Sequence, residues 1–528
     1  MHKIKPIYLS LATGILLILG WPCMPSTFFL LLGFVPLLII HHQLTDSRKK
    51  HLKFWGYSYL AILIFNIGTT WWVWNASPSG CLFMLFPNAL ILSIPFLLFS
   101  ITYSKLPKLG YMPLLFFYIA IEYLHFNWNA SWPWLTLGKG LAMYPNFIQW
   151  YEYTGELGGT AFVLVINIWV FSAIKNKSYL KLWQPALLIS LLSIISFSLL
   201  NSYNYKYSKV QPIAIECVIS QPNIDPYTEK FGNGEHYIAP DEQLRIALSI
   251  AKPLLTNNTE LLLLPETAVT GNIEESTLNT VSILEEAKLL TDSNNLCIIT
   301  GAETYHIYKS NNRPSISARF DEYEKVWFDC YNTSIAIHKN NVDSIYHKSK
   351  LVPGVEKMPF EFLEKLSINL GGASGTLGTS KKPINFFINK DVKIAPLICY
   401  ESVFGDYTTE FVKSGANVLA LITNDAWWGN TPGHRQHLVF GAIRCIETRK
   451  EMVRSANTGI SAKVNVYGKI TQQTKYGERT AFRCSLIPNN YQTFYVKYGS
   501  LIGKLSIILT SLIVVLLLVI SLKKKLSK

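Results

Sequence analysis

Apolar residues gather into eight runs, at about 6–20, 27–40, 54–74, 83–103, 111–124, 160–175, 183–200 and 501–522, divided by polar breaks. Crossing a bilayer takes roughly 20 residues of helix. Each run therefore predicts a span, although the first, second and fifth are short enough to leave their ends open. Basic residues mark alternate breaks: Lys3 and Lys5, then Arg48, Lys49, Lys50 and Lys53, then Lys105 and Lys108, then Lys175, Lys177 and Lys181, and last Lys523, Lys524 and Lys525. The breaks between these are nearly free of Lys and Arg, and the long one over 125–159 holds only Lys139. Basic breaks stay cytoplasmic. The alternation thus predicts seven crossings from an inside N-terminus, an outside segment over 202–500, and an eighth crossing. No small-residue cleavage site follows the first run, which reads as an uncleaved helix.

Between 202 and 500 the pattern becomes that of a globular domain. Fully apolar or β-branched stretches predict strands at 213–219, 261–264, 296–300, 333–338, 392–399, 418–424 and 461–466. Helical spacing appears at 244–255, 278–290 and 441–449. Strand–helix alternation predicts an α/β domain whose sheets are covered by helices. The chain then divides into a seven-span domain at 1–201, an extracytoplasmic domain at 202–500, and a last helix with a basic tail at 501–528.

Composition agrees with this division. The 528 residues are 49% hydrophobic and 16% charged, with a formal charge of +14, which is apolar for a soluble protein. The excess positive charge lies beside the apolar runs, so it reports topology and excludes nucleic acid as a partner.

Two predicted strands end in reactive side chains, where α/β folds place their sites. Leu261-Leu262-Leu263-Leu264-Pro265 leads to Glu266, and Ile394-Ala395-Pro396-Leu397-Ile398 leads to Cys399. Between them Lys348 follows a short extended stretch. Thiol, carboxylate and lysine form a complete set for acyl transfer. The thiolate attacks, the carboxylate takes and returns the proton, and the ammonium steadies an oxyanion with the N–H after the nucleophile. Singly, each has a plainer reading: an inert core cysteine, a helix-capping glutamate and a solvated lysine.

In this order Glu266, Lys348 and Cys399 resemble the Glu-Lys-Cys triad of the nitrilase superfamily. Tyr331-Asn332-Thr333-Ser334, Asn424-Asp425-Ala426-Trp427-Trp428-Gly429 and Arg454-Ser455-Ala456-Asn457-Thr458-Gly459 support the match. With spans on both sides, and with Trp132-Pro133-Trp134-Leu135 and Gln221-Pro222-Asn223 also present, the whole chain is similar to the apolipoprotein N-acyltransferase family. That resemblance implies an α-helical transmembrane bundle of about eight spans joined to an α-β-β-α nitrilase-like sandwich. It implies a place in the bacterial inner membrane with the catalytic domain on the periplasmic side. It also implies a reaction: a phospholipid donates an acyl chain to Cys399, and the amino group of a diacylglyceryl-cysteine lipoprotein removes it. In that scheme Glu266 is the base, Lys348 holds the oxyanion, Glu356 assists, Asn332 supports, and Tyr400, Glu401 and Trp427 line the pocket. No cofactor or metal is implied. The partners are the phospholipid donor, the lipoprotein acceptor and membrane lipid, and the protein is a monomer. Two departures stand out: Pro353-Gly354-Val355-Glu356 replaces the family's Pro-Phe-Gly-Glu, and Phe231 stands where a tryptophan is usual.

The same triad serves water as acceptor, so a membrane-tethered amidase stays open. A transporter or receptor is disfavoured, because the runs hold almost no ionisable residues. The amphipathic stretch 358–366 reads equally as a lid dipping into lipid or a packed surface helix. His434 and His437 lack a third metal ligand. Six of the eight cysteines fall in 202–500, where disulfides are permitted but their pairing is unreadable; Cys399 has to stay free.

Overall fold

The computed structural model describes residues 4–209, 214–231, 234–292, 295–358 and 376–526. Beyond Met358, the amphipathic stretch expected as a lid or surface helix lies outside the described residues. The chain divides into two units, one of Met1–Ser202 with Tyr498–Lys528 and one of Tyr203–Lys497.

The first unit is helical. Among the described residues, Pro78–Lys105, Glu156–Lys175, Tyr179–Asn204 and Leu501–Leu526 are long and apolar enough to cross a membrane, and Pro6–Leu19, Thr27–Gln43 and Met112–His125 are shorter apolar helices. The run read at 27–40 is broken: a 3-10 turn, Thr27–Leu31, precedes the helix Val35–Gln43. The Asn167 side chain bridges that break, accepting from the Phe34 N–H at 2.8 Å and donating to the Leu30 carbonyl at 2.9 Å. A second irregular stretch, Pro133–Leu135 with Leu137–Leu141, is tied by buried polar groups. Glu122 accepts from the Leu137 N–H at 2.8 Å, Lys139 donates to the Pro133 carbonyl at 2.7 Å, and Tyr151 donates to the Gly138 carbonyl at 2.7 Å. Non-helical backbone in apolar surroundings persists only when protein groups satisfy it, and these side chains do so.

Among the described residues the second unit holds two sheets. In chain order the first contains β1 (Ile215–Gln221), β2 (Thr259–Leu263), β3 (Val269–Glu274), β4 (Cys297–Tyr308), β5 (Arg319–Asp321), β6 (Val326–His338) and β7 (Asn341–His347). The second contains β8 (Phe386–Phe387), β9 (Lys393–Ile398), β10 (Val418–Thr423), β11 (Met452–Ala456), β12 (Ala462–Val464) and β13 (Ile470–Gln473), and β14 (Thr480–Leu486) returns to the first. The first sheet runs β14-β1-β2-β4-β6-β5, with β3 on β4 and β7 on β6; the second runs β13-β12-β11-β10-β9-β8. Its centre, β9-β10-β11, is parallel. The Ser455 hydroxyl of β11 donates to the Ser220 carbonyl of β1 at 2.6 Å, joining the two sheets.

Helices cover the outer faces. Leu262 and Leu264 pack with Leu244, Ala247 and Leu248 of the helix Pro240–Ala251 and with Ala287 of the helix Glu285–Asp292. On the other sheet the helix Pro432–Thr448 lies so close that a Cβ at Gly441 would meet Leu421 and Met452 at 3.4 Å. Strands buried on both faces read as unbroken apolar runs, which is why β2 and β10 stood out in the sequence.

Three expectations change. The helix expected at 278–290 begins only at Glu285, after a 3-10 turn at Ser282–Leu284. The helix expected at 441–449 begins at Pro432, where the Thr431 side chain accepts from the Gly433 N–H. Strands β4 and β6 extend to 12 and 13 residues, pairing from Cys297↔His338 to Tyr308↔Trp327. Their extra length carries mixed polar residues, which hid it.

Candidate active site

Glu266 follows the end of β2. The Leu264 N–H donates to the Ile299 carbonyl at 2.9 Å, and the Gly301 N–H to the Pro265 carbonyl at 3.0 Å. The approach is close: a Cβ on Gly301 would lie 2.4 Å from the Thr267 nitrogen and 2.6 Å from the Glu266 Cα. Only glycine fits there. Three donors converge on the buried carboxylate. Lys348 Nζ (3.0 Å) and Asn332 Nδ2 (2.8 Å) reach Oε1, and the Asn424 N–H (2.9 Å) reaches Oε2.

Lys348 follows β7, and its N–H donates to the Asn332 carbonyl on β6 at 2.8 Å. Strand register thus sets lysine and asparagine side by side. Lys348 Nζ also lies 2.8 Å from Glu356 Oε1, which Asn332 Nδ2 reaches at 3.0 Å. Burial opposes the charge on Lys348, but Glu266, Glu356 and Cys399 outweigh it and hold the group well above the ordinary lysine value. Glu356 keeps its place in the altered turn because its Oε2 accepts from the Val352 N–H at 2.8 Å and its own N–H donates back to the Val352 carbonyl at 3.0 Å. Gly354 makes that turn at φ +86°.

Cys399 follows β9 and opens the 3-10 turn Cys399–Val403 at φ +47°. Non-glycine residues seldom adopt this conformation unless their surroundings enforce it. Glu401 supplies much of that enforcement: Oε2 accepts from the Ile398 N–H at 2.8 Å, while Oε1 accepts from the Ser349 N–H at 2.7 Å and from the Tyr346 hydroxyl. Glu401, expected to line the pocket, is instead fully buried and ties the cysteine turn to the strand end that carries Lys348. Burial, opposed by these donors, pushes its carboxyl up to about 7. The Cys399 thiol is also pushed up, by burial first and then by Glu266, with Lys348 opposing. The resting group is therefore a thiol that needs a base at the moment of attack.

Tyr400 is buried edge-on to Phe404 at 5.1 Å. Trp427, in the turn Ala426–Trp428, stacks on Phe231 at 6.0 Å and 9°, with Tyr227 edge-on at 5.3 Å. The phenylalanine that departs from the family pattern therefore joins Trp427 in one aromatic cluster.

Sequence reasoning missed a second layer. Asp425 follows β10 after Asn424 and accepts from Arg454; His437 Nδ1 lies 2.9 Å from its Oδ1. Burial opposes its charge, but Arg454 and His437 hold the carboxyl well below the usual range. His437 Nε2 lies 3.0 Å from Ser402 Oγ and 3.1 Å from the Cys399 carbonyl. His437, weighed as a metal ligand with His434, thus faces Asp425 and the nucleophile turn, while His434 stacks on Tyr476 at 4.6 Å. Among the described residues no cluster of three or more His, Cys, Asp or Glu could hold a metal. Lys230, also missed, is buried and donates to the Glu266 carbonyl at 3.4 Å. Burial lowers it to about 8 against the pull of Glu303 and Glu266. Among the described residues the cysteines form no disulfide.

The profile described as carbon-nitrogen hydrolase matches residues 232–482, the span that holds Glu266, Lys348 and Cys399. The profile of the apolipoprotein N-acyltransferase N-terminal domain matches residues 13–169. The chain belongs to the apolipoprotein N-acyltransferase family. Relatives of that name include one from Chlorobaculum tepidum, 26% identical over 94% of this chain and 94% of its own. One from Thermotoga maritima is 24% identical over 95% and 92%, and one from Bdellovibrio bacteriovorus is 26% identical over 94% and 91%.

Proposed function

We propose that this chain moves an acyl chain from a membrane phospholipid to the α-amino group of an N-terminal diacylglyceryl-cysteine on a lipoprotein, through a thioester on Cys399. The observation that carries the reading is the convergence of Glu266, Lys348, Glu356 and Asn332 through contacts of 3.0 Å or less, with the Cys399 thiol close enough to feel both Glu266 and Lys348.

In the first half-reaction Glu266 takes the thiol proton as sulfur attacks the ester carbonyl. The C–S bond forms, and Lys348 with the Tyr400 N–H faces the oxyanion. Collapse breaks the C–O bond to glycerol, and Glu266 returns the proton to the departing lysophospholipid. In the second half-reaction the amine attacks the thioester, Glu266 accepts a proton from nitrogen, the C–N bond forms and the C–S bond breaks. The proton then returns to Cys399. Glu356 and Asn332 position Lys348 and Glu266; Phe231, Tyr227 and Trp427 receive the lipid substrates.

In this reading residues 1–201 form the seven-span domain, 202–500 the periplasmic catalytic domain and 501–528 the eighth span with its cytoplasmic tail, in the inner membrane and as a monomer. A membrane-held site suits these substrates, because drawing acyl chains into water costs about 0.8 kcal/mol per CH₂. The test is to incubate the purified chain in detergent with a phospholipid and a diacylated lipopeptide. Equal amounts of lysophospholipid and N-acylated lipopeptide, both absent with Cys399→Ala, are expected. Lysophospholipid with free fatty acid instead would make water the acceptor and overturn the transferase reading.

A further inference from the structure

The nucleophile turn is held from behind by a chain of contacts that the two half-reactions leave unexplained. Arg454 donates to Asp425 Oδ2, and Asp425 Oδ1 lies 2.9 Å from His437 Nδ1. On the far side of the ring, His437 Nε2 lies 3.1 Å from the Cys399 carbonyl oxygen, which also accepts from the Ser402 hydroxyl at 2.9 Å. Asp425, His437, Arg454 and Ser402 are all fully buried, and Trp428 closes on the ring edge-on at 5.7 Å. Nδ1 lies between Asp425 Oδ1 at 2.9 Å and Arg454 Nη2 at 3.3 Å, and the ring that satisfies the Cys399 carbonyl donates to it from Nε2.

The Cys399 carbonyl and the Tyr400 N–H belong to one peptide group. That group is planar and trans, as no cis bond occurs here, so C=O and N–H point in opposite directions. Fixing the carbonyl fixes the line of the N–H. Cys399 sits at φ +47°, a conformation its surroundings must impose. Two donors on its carbonyl, one of them braced by a buried carboxylate, do this. A hydrogen bond to the carbonyl also polarises the peptide and strengthens its N–H as a donor.

We infer that His437, braced by Asp425, is a positioning residue for acyl transfer: by holding the Cys399 carbonyl it aims the Tyr400 N–H at the oxyanion of the tetrahedral intermediate. This inference rests on the thioester reading of Cys399, and it assigns to the buried histidine a part in stabilising the intermediate rather than in activating the thiol.

Glutamine and asparagine separate this role from packing. In His437→Gln the side-chain amide reaches about as far as Nε2, so it still donates to the Cys399 carbonyl. In His437→Asn the amide reaches only about as far as Nδ1, so it keeps Asp425 and loses the carbonyl. Two probes report on Cys399 in the full chain in detergent. The burst from p-nitrophenyl butyrate measures acylation, which passes through an oxyanion. Iodoacetamide labelling of Cys399, followed by peptide mass mapping, measures a displacement that does not. Removing an oxyanion donor costs on the order of 10²–10³ in rate.

The expected result is a loss of about 10²-fold in the acylation burst for His437→Asn and His437→Leu, iodoacetamide labelling within about threefold of wild type, and recovery of at least about tenfold in His437→Gln. Acylation and alkylation falling together, acylation unchanged, or asparagine matching glutamine would each overturn the inference. Should the leucine variant fail to fold, the comparison of asparagine with glutamine decides alone. Wild type acylated by the butyrate ester but by no phospholipid would sink the proposed donor, while the variant series still judges His437. Wild type acylated by neither would sink both.

Discussion

Lys348 Nζ lies 2.8 Å from Oε1 of Glu356 and 3.0 Å from Oε1 of Glu266, so one ammonium serves two buried carboxylates. Asn332 Nδ2 bridges the same two oxygens at 3.0 and 2.8 Å. Two anions share one cation and one amide, and these two contacts use two of the three N–H donors of Lys348, leaving the third for the oxyanion. Glu356→Gln keeps the Glu266 contact but loosens the clamp. Single-turnover acylation of Cys399 is expected to fall by roughly 10- to 100-fold through misplacement of the lysine, with the unfolding temperature nearly unchanged. An acylation rate equal to wild type would show that Glu356 has no part in setting Lys348.

Asn332→Asp puts a third carboxylate on a single lysine. A buried charge without a partner costs about 3–5 kcal/mol, so this variant is expected to lose most of its folded yield, whereas Asn332→Ala gives up only donors. Thermal unfolding in detergent compares the two. A stable Asn332→Asp protein would mean that the cluster takes up an extra proton readily.

The aromatic cluster makes a different prediction. Phe231 stacks on Trp427 with the Lys230 ammonium 5.5 Å from its ring centroid, and such aromatic pairs contribute about 0.5–1.5 kcal/mol. Phe231→Ala is therefore expected to raise KM for the lipid substrates by about 2- to 10-fold while kcat changes little. Steady-state kinetics with lipopeptide acceptors measures this. A fall in kcat at unchanged KM would place Phe231 in the chemistry instead.

Glu401 gives the pH dependence. Its carboxyl is raised to about 7, chiefly by burial, so the folded state binds that proton more tightly than the unfolded chain. Its contribution to stability is complete at low pH and is lost as the pH rises through about 7. Glu401→Gln cannot ionise but gives up the acceptor that serves the Ile398 N–H, at a cost of about 1–3 kcal/mol. The gap in unfolding temperature between wild type and Glu401→Gln is expected to narrow from about pH 5 to about pH 8. A gap that widens over the same range contradicts the assignment.

Elements that repeat one pattern were legible in the sequence. Strands β2, β9 and β10 were visible because burial on both faces makes them uniformly apolar, and Glu266 and Cys399 were visible because each follows such a strand. Lys348 was found through its order relative to these two and through the family resemblance. Its real partner, the Asn332 carbonyl on β6, is a matter of strand register that the sequence does not display. Long-range ties were invisible for the same reason. Asn167 mends a helix break at Phe34 from 133 positions away, and His437 meets the Cys399 carbonyl across 38. The surroundings of Glu401 were not legible either. A glutamate two places after the nucleophile looks like a pocket wall, and only the fold shows that its carboxylate is spent on backbone N–H groups.

The central claim is that Cys399 carries the acyl chain. Intact-mass measurement of the purified chain after incubation with a phospholipid tests it most directly. The account predicts a mass increase of one fatty acyl group that hydroxylamine removes, that Cys399→Ala lacks, and that a diacylated lipopeptide discharges. Lysophospholipid released by wild type and Cys399→Ala alike, with no adduct on the protein, would contradict it.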